Sequence, residues 1–294
     1  MSDDAFEYII PLPAEKLERE ARRLIGFHER YARVRADLRL LADPAAVLAW
    51  GQKLYGEVPP ICEVIGDRYP LFILEGDVGT GKTVFARCAA SRLAMELQRD
   101  GNLFALSTRV RGKGAVGEAS AGINAAFARV AAEVGKTKLA FLLIDEADSL
   151  VTSRGEAHSH LEDKIAVNTI IQKVDDLRRH GGRFVVFLST NRIGTLDAGV
   201  LRRAAALETF ERPTPDERKR LLVQDLEGLG LASATIDQLV QATGSSNGSP
   251  GYTFSDMRTR LLPRIIIAAY PDRRITDADA LAATDGLKPS PVVT

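Results

Sequence analysis

Residues 76–83 read Gly-Asp-Val-Gly-Thr-Gly-Lys-Thr, glycines and a Lys-Thr pair at the spacing of a phosphate-binding loop. Gly76, Gly79 and Gly81 allow backbone torsions closed to residues with a Cβ, so successive N–H groups can turn inward on phosphate oxygens at a helix N-terminus. Lys82 is then expected to reach the β- and γ-phosphates, and Thr83 to offer its hydroxyl to Mg²⁺. Asp77, Val78, Thr80 and Val84 complete the expected nucleotide contacts, and the ligand expected is Mg-ATP or Mg-GTP. A second pair, Asp145-Glu146, closes the apolar run 139–144. Acids at the C-terminal end of a buried strand lie where α/β sheets place ligands. This is a Walker B pattern, in which Asp145 holds Mg²⁺ through water and Glu146 orients the water that attacks the γ-phosphate.

The elements that must position these groups follow from periodicity. The apolar run 71–74 precedes the loop and the helix-forming stretch 84–90 follows it, giving strand, loop, helix. Residues 102–107, 139–144 and 183–190 are further strand candidates, with helical stretches at 118–134 and 160–179 between them. This alternation predicts an α/β fold with a parallel sheet flanked by helices. Residues 1–13 are expected to be an extended arm, with a short strand at 8–10 stopped by Pro11 and Pro13. Residues 14–41 are helical with a break at Gly26, and 45–55 form another helix. After Glu208 no strand signal returns. Helices are expected from Pro215 toward Gly228, over 236–242 and over 254–269. The resulting division is an arm and helix start at 1–23, a large α/β domain at 24–209, a small all-helical lid at 210–286 and a disordered tail at 287–294.

Composition narrows the function classes. A chain of 294 residues that is 45% hydrophobic can bury one large core and one smaller one. With 39 basic and 39 acidic residues, no global field draws it to nucleic acid or an anionic membrane. Cys62 and Cys88 lack CxxC spacing and read as reduced thiols. The acidic start and the lack of a long apolar run lead to the expectation of a soluble cytoplasmic protein.

The loop and the acid pair are followed by Ser189-Thr190-Asn191-Arg192 and then by 196–203, Leu-Asp-Ala-Gly-Val-Leu-Arg-Arg. Together they resemble the core of AAA+ ATPases of the P-loop NTPase class, over residues 24–285. The resemblance implies that Asn191 senses the γ-phosphate. It also implies that Arg203, or Arg202 beside it, enters a neighbouring subunit's site as an arginine finger, so that ATP binds between protomers of a ring, most often a hexamer. Ile25 and Gly26 match the family's adenine-side segment, and the stretch 251–257 with Ser255 matches the lid segment over adenine and ribose. Arg258 and Arg260 are both available as the lid's sensor arginine, and the spacing does not choose. Lys113, Gly114, Val116, Gly117 and Glu118 fall where AAA+ remodellers place the pore loop that touches substrate.

The Gly114-Ala115-Val116-Gly117-Glu118 form of that loop, the short N-terminal region and Arg260-Leu261-Leu262-Pro263 resemble the pachytene-checkpoint remodellers of HORMA-domain proteins, particularly their compact bacterial relatives. That resemblance implies partial unfolding of a HORMA-domain partner and disassembly of its signalling complex in anti-phage defence. Two other readings stand beside it. One is a DNA-directed loader or translocase that contacts phosphates through Arg109, Arg111 and Lys113. The other is a binding scaffold in which ATP only orders the lid and the ring.

Overall fold

The computed structural model describes residues 5–111, 117–134, 137–147, 159–246 and 248–292. They form two compact units. One takes the residues up to Arg23, Phe27–Glu75 and Thr83–Thr209; the other takes Leu24–Gly26, Gly76–Lys82 and the chain from Phe210 on.

The first unit is built on six strands: β1 (Phe6–Leu12), β2 (Leu71–Gly76), β3 (Gly101–Leu106), β4 (Leu139–Ile144), β5 (Phe184–Thr190) and β6 (Ala204–Phe210). Their spatial order is β1-β3-β4-β5-β2-β6. β3, β4, β5 and β2 run parallel, with Leu142 opposite Val186 and Glu75 opposite Thr190. Every residue of β4 and β5 is buried. Central parallel strands covered on both faces have no polar face to alternate, so they read as continuous apolar runs. Phe187 is fully buried and meets Phe72 at 5.8 Å and Phe141 at 5.9 Å between ring centroids. Phe187→Ala should therefore cost about 3–5 kcal/mol, read as a shifted midpoint in chemical denaturation.

Two strand expectations are corrected. The arm is a sheet strand: β1 pairs antiparallel with β3 from Phe6 opposite Leu106 to Leu12 opposite Gly101. Pro11 does not stop it, because β1 lies at the sheet edge, where a residue without an N–H is tolerated. β6 was not expected at all. Three alanines open it, and of its residues only Glu208 and Phe210 are buried, so it carries neither an apolar run nor clear alternation. Arg30 and Arg33 pair with the Glu208 carboxylate.

Helices follow the expected break at Gly26 and the expected helix end at residue 55. Gly26, at φ +76°, separates Glu15–Arg23 from Phe27–Ala42. Gly56, at φ +77°, closes Pro44–Tyr55 by donating its N–H to Gln52. The short helix Pro60–Gly66 escaped the sequence reading. Both cysteines are buried and free, and burial pushes the Cys88 thiol up to about 12. Its thiolate is therefore scarce at neutral pH, as inert core cysteines require. Among the described residues, no helix is long and apolar enough to cross a membrane.

The second unit is helical: Pro215–Asp225, Ser233–Ala242, the run Phe254–Asp256, Met257–Leu261 and Leu262–Ile267, and Asp277–Ala282. Capping boxes start three of these, Thr214 with Glu217, Thr253 with Asp256 and Thr276 with Asp279. The turn Met257–Leu261 is a π-helix just before Pro263, whose missing N–H an α-helical turn could not use. Ile25, Leu221, Leu239, Tyr252 and Met257 share the buried core.

Residues 287–292 are not the free tail expected. Tyr252 Oη donates to the Leu287 carbonyl at 2.5 Å, and Ser290 donates to the Asp256 carboxylate from N at 3.1 Å and from Oγ at 2.6 Å. A local composition of Gly, Lys and Pro predicts disorder only when no tertiary partner supplies these bonds.

Candidate active site

The phosphate loop lies in the second unit. Gly76 has φ +139°, and a Cβ there would fall 2.1 Å from the Phe210 carbonyl oxygen. Gly79 has φ +77°, and its Cβ would fall 2.7 Å from Ser255 Cβ and 2.8 Å from Thr253 Oγ1. Only glycine fits either position. Ser255 N donates to the Gly79 carbonyl at 3.1 Å, so the backbone of this residue supports the loop. Thr80 Oγ1 donates to Asp77 O at 2.8 Å. The Lys82 ammonium, 6% exposed, donates to Gly76 O at 2.8 Å and Asp77 O at 2.9 Å. A buried ammonium on neutral carbonyls is electrostatically suited to exchange them for phosphate oxygens, which carry full charge.

In the first unit, Thr83 Oγ1 donates to Asp145 Oδ2 at 2.6 Å. A hydroxyl and a carboxylate at this separation are an all-oxygen donor pair, the set that a hard divalent cation selects, so these residues fit Mg²⁺. Glu146 follows with φ +49°, a left-handed conformation that non-glycine residues seldom adopt, and its N–H donates to Asp145 Oδ1 at 3.0 Å. The exposed Glu146 side chain is thus carried on a strained turn, the kind of backbone outlier that clusters at functional sites. Asn191 directly follows β5, half-buried. Since Leu188 faces Ile144 and Thr190 faces Glu75, the ends of β4, β5 and β2 lie side by side, and Asp145, Glu146 and Asn191 share one sheet edge.

The arginine pair divides. Arg203 donates through Nε and Nη2 to both oxygens of Asp175, the latter at 2.8 Å, and through Nη1 to Gly199 O at 3.0 Å. Its guanidinium also lies 5.5 Å from the Tyr69 ring centroid, with Arg178 at 5.2 Å from the same ring. Arg202 is exposed, and its side chain makes no hydrogen bond or ion pair with a described residue. Both arginines line an open groove of about 450 Å³ with Tyr69, Arg178 and Val64. Of the two arginines expected at the finger position, Arg203 is anchored within its own chain and Arg202 is exposed. Asp175, Tyr69 and Arg178 carry no motif and were not singled out from sequence.

Of the remaining candidates, Ile25 is buried in the second unit's core and Gly26 forms the helix break. Val84 is half-buried in the helix Lys82–Leu97. Arg258 donates to Asp225 at 2.7 Å, and Arg260 to Asp256 at 3.1 Å. Both lid arginines are thus engaged with carboxylates of their own unit. Burial alone would raise the Asp256 carboxyl, but hydrogen bonds from Ser290, Thr253 and Arg260 outweigh it and hold the group below its ordinary value. Gly117, at φ +89°, leads into the helix Glu118–Val134. Lys113, Gly114 and Val116 lie outside the described residues, as does the Arg109 side chain.

Residues 72–212 match the model of the ATPase family associated with various cellular activities (AAA). CD-NTase-associated protein 6 of Escherichia coli strain KTE188 is 45% identical over 289 residues, covering 98% of this chain and 97% of the relative. The chain belongs to the AAA ATPase family. Among solved structures, this AAA ATPase resembles a chain of the E. coli MS115-1 HORMA:CdnC:Trip13 complex. That match has a TM-score of 0.90 at 36% identity, covering 99% of this chain and 98% of the other. It also resembles Rhizobiales Trip13, with a TM-score of 0.72 at 31% identity, covering 97% and 99%. Nucleotide binding belongs to the family as a whole, and these relatives are matched from end to end, not only in the ATPase core.

Proposed function

We propose that this AAA ATPase hydrolyses Mg-ATP in a homo-oligomeric ring and uses the cycle to unfold part of a HORMA-domain protein, disassembling its signalling complex in anti-phage defence. The observation that carries this reading is the nearly full-length likeness to a chain from a HORMA:CdnC:Trip13 complex.

In this reading the N–H groups of 76–84 and Lys82 hold the phosphates, and Thr83 and Asp145 hold Mg²⁺, which neutralises phosphate charge when bound. Glu146 orients the attacking water and takes up its proton, while Asn191 senses the γ-phosphate. Arg202 projects into a second copy's site, kept in place by its anchored neighbour Arg203. The groove that carries Arg202 also carries Val64, 70% exposed, and the helices beside it expose Trp50, Tyr55 and Ile61. Exposed apolar side chains around an unpaired arginine favour a protein partner at this face, and a second copy supplies one. The 113–118 loop touches the substrate.

The test is steady-state ATP hydrolysis with and without a purified HORMA-domain protein encoded beside this gene, with Glu146→Gln as the blank. Stimulation by the partner supports remodelling. Hydrolysis unchanged by the partner removes the HORMA assignment, and no hydrolysis above the blank favours the nucleotide-switched scaffold. Lys82→Ala should weaken ATP affinity about thirtyfold in a fluorescent-nucleotide titration, the loss expected when a charge-assisted bond of about 2 kcal/mol is removed.

A further inference from the structure

Arg212 is in none of the motifs, yet its guanidinium connects three parts of the second unit. Nε donates to Asp77 Oδ2 at 2.7 Å, and Nη2 lies 2.5 Å from the same oxygen. Nη1 donates to Gly251 O at 2.6 Å, and Nη2 also donates to Ser290 O at 2.8 Å. Asp77 is the second residue of the phosphate loop, and its other carboxylate oxygen accepts from Val78 N at 2.9 Å. Both oxygens of this carboxylate are thus committed, one to the loop's own backbone and one to Arg212. The Arg212 and Asp77 side chains are 14% and 12% exposed, so water competes little for the pair.

Ser290 completes the chain of contacts. Its carbonyl receives Arg212, while its N and Oγ hold the buried Asp256, which caps Thr253 at the start of the helix whose Ser255 bonds the Gly79 carbonyl. The loop is therefore held at both Asp77 and Gly79 by groups that converge on Ser290. A guanidinium aims well only if its acceptors are fixed, and the Ser290 carbonyl is fixed by the two bonds the same residue makes to Asp256.

We propose that Arg212 is a positioning residue for the phosphate loop and that the segment 287–292 is the strap that aims it, so that releasing Ser290 weakens nucleotide binding without changing the hydrolysis step. This rests on the reading of 76–83 as the ATP loop. Pre-ordering the loop lowers the cost of arranging its N–H groups around phosphate, a contribution to binding common to ground and transition states. Loss of such uniform binding raises KM and leaves kcat alone. By linkage, whatever lifts the strap also loosens the nucleotide, and bound nucleotide tightens the strap.

The experiment measures ATP KM and kcat, the Kd of a fluorescent ADP analogue and the melting temperature for Ser290→Ala, Ser290→Thr, Ser290→Pro and Lys82→Ala in the full chain. Ser290→Ala should raise KM and Kd about fivefold, with kcat within about twofold of wild type. Ser290→Pro, which removes both bonds to Asp256, should raise them further. Ser290→Thr, which keeps the hydroxyl, should restore the wild-type values. Unchanged KM and Kd in both Ser290→Ala and Ser290→Pro, or a fall in kcat at constant KM, overturns the strap. If Ser290→Pro does not fold, Ser290→Ala against Ser290→Thr decides. Wild-type affinity in Lys82→Ala would instead overturn the reading of the loop itself, which keeps the two failures apart.

Discussion

Glu146→Gln is expected to bind ATP with an affinity within about twofold of wild type while its kcat falls about a thousandfold. The amide preserves the side chain's shape and the strained turn at φ +49° that presents it. It cannot accept the proton of an attacking water, and its dipole replaces a full negative charge at the nucleophile. Asp145 keeps its bond to Thr83, so the oxygen pair suited to Mg²⁺ and the affinity that depends on it survive. A coupled hydrolysis assay beside a fluorescent-nucleotide titration separates the two quantities. Wild-type turnover would place the water-activating group elsewhere, while loss of affinity would mean that Glu146 serves binding.

Arg202→Ala should lower kcat by a similar factor, about a thousandfold, because an arginine finger stabilises charge that develops only in the transition state. Its melting temperature should stay at the wild-type value, since the side chain makes no bond to a described residue. Arg203→Ala should lower the melting temperature, because it strips Asp175 of a bidentate partner and Tyr69 of a cation. Mixing Arg202→Ala with Lys82→Ala subunits should restore turnover: the first has an intact loop and the second still donates its own Arg202. A mixture as inactive as its components would remove the action in trans. Full kinetic loss in Arg203→Ala at an unchanged melting temperature, with Arg202→Ala active, would mean that Arg203 leaves Asp175 to act.

The candidate site was legible in the sequence where function is contiguous along the chain. Loop geometry is set by neighbouring torsions, so Gly76, Gly79 and Lys82 can be read from spacing alone. Asp145-Glu146 can be read because the run before them is apolar throughout, and β4 is buried throughout for the same reason. The central strands, the helix break at Gly26, the helix end at residue 55 and the helix start at Pro215 are likewise local. The errors fall where the deciding partner is remote. β1 passes through Pro11 because β3 pairs with it, and β6 exists because a sheet edge accepts three alanines that no local preference would make a strand.

The same division holds for individual side chains. Arg202 and Arg203 are adjacent and alike in sequence, and Asp175 together with Gly199 distinguishes them by capturing one guanidinium. Arg258 and Arg260 were equivalent by spacing; Asp225 and Asp256 assign each a different place. Residues 287–292 looked like a tail by composition, and Asp256 with Tyr252 binds them down. From the sequence came the phosphate-loop and acid-pair motifs, the central strands and the family, because these rest on torsional preference, apolar periodicity and short motifs. The fold was needed to place β6, to separate the captured Arg203 from the exposed Arg202, to pair the lid arginines with their carboxylates and to bind down the last described residues, because a charged side chain's role depends on the partner that folding brings within about 3 Å.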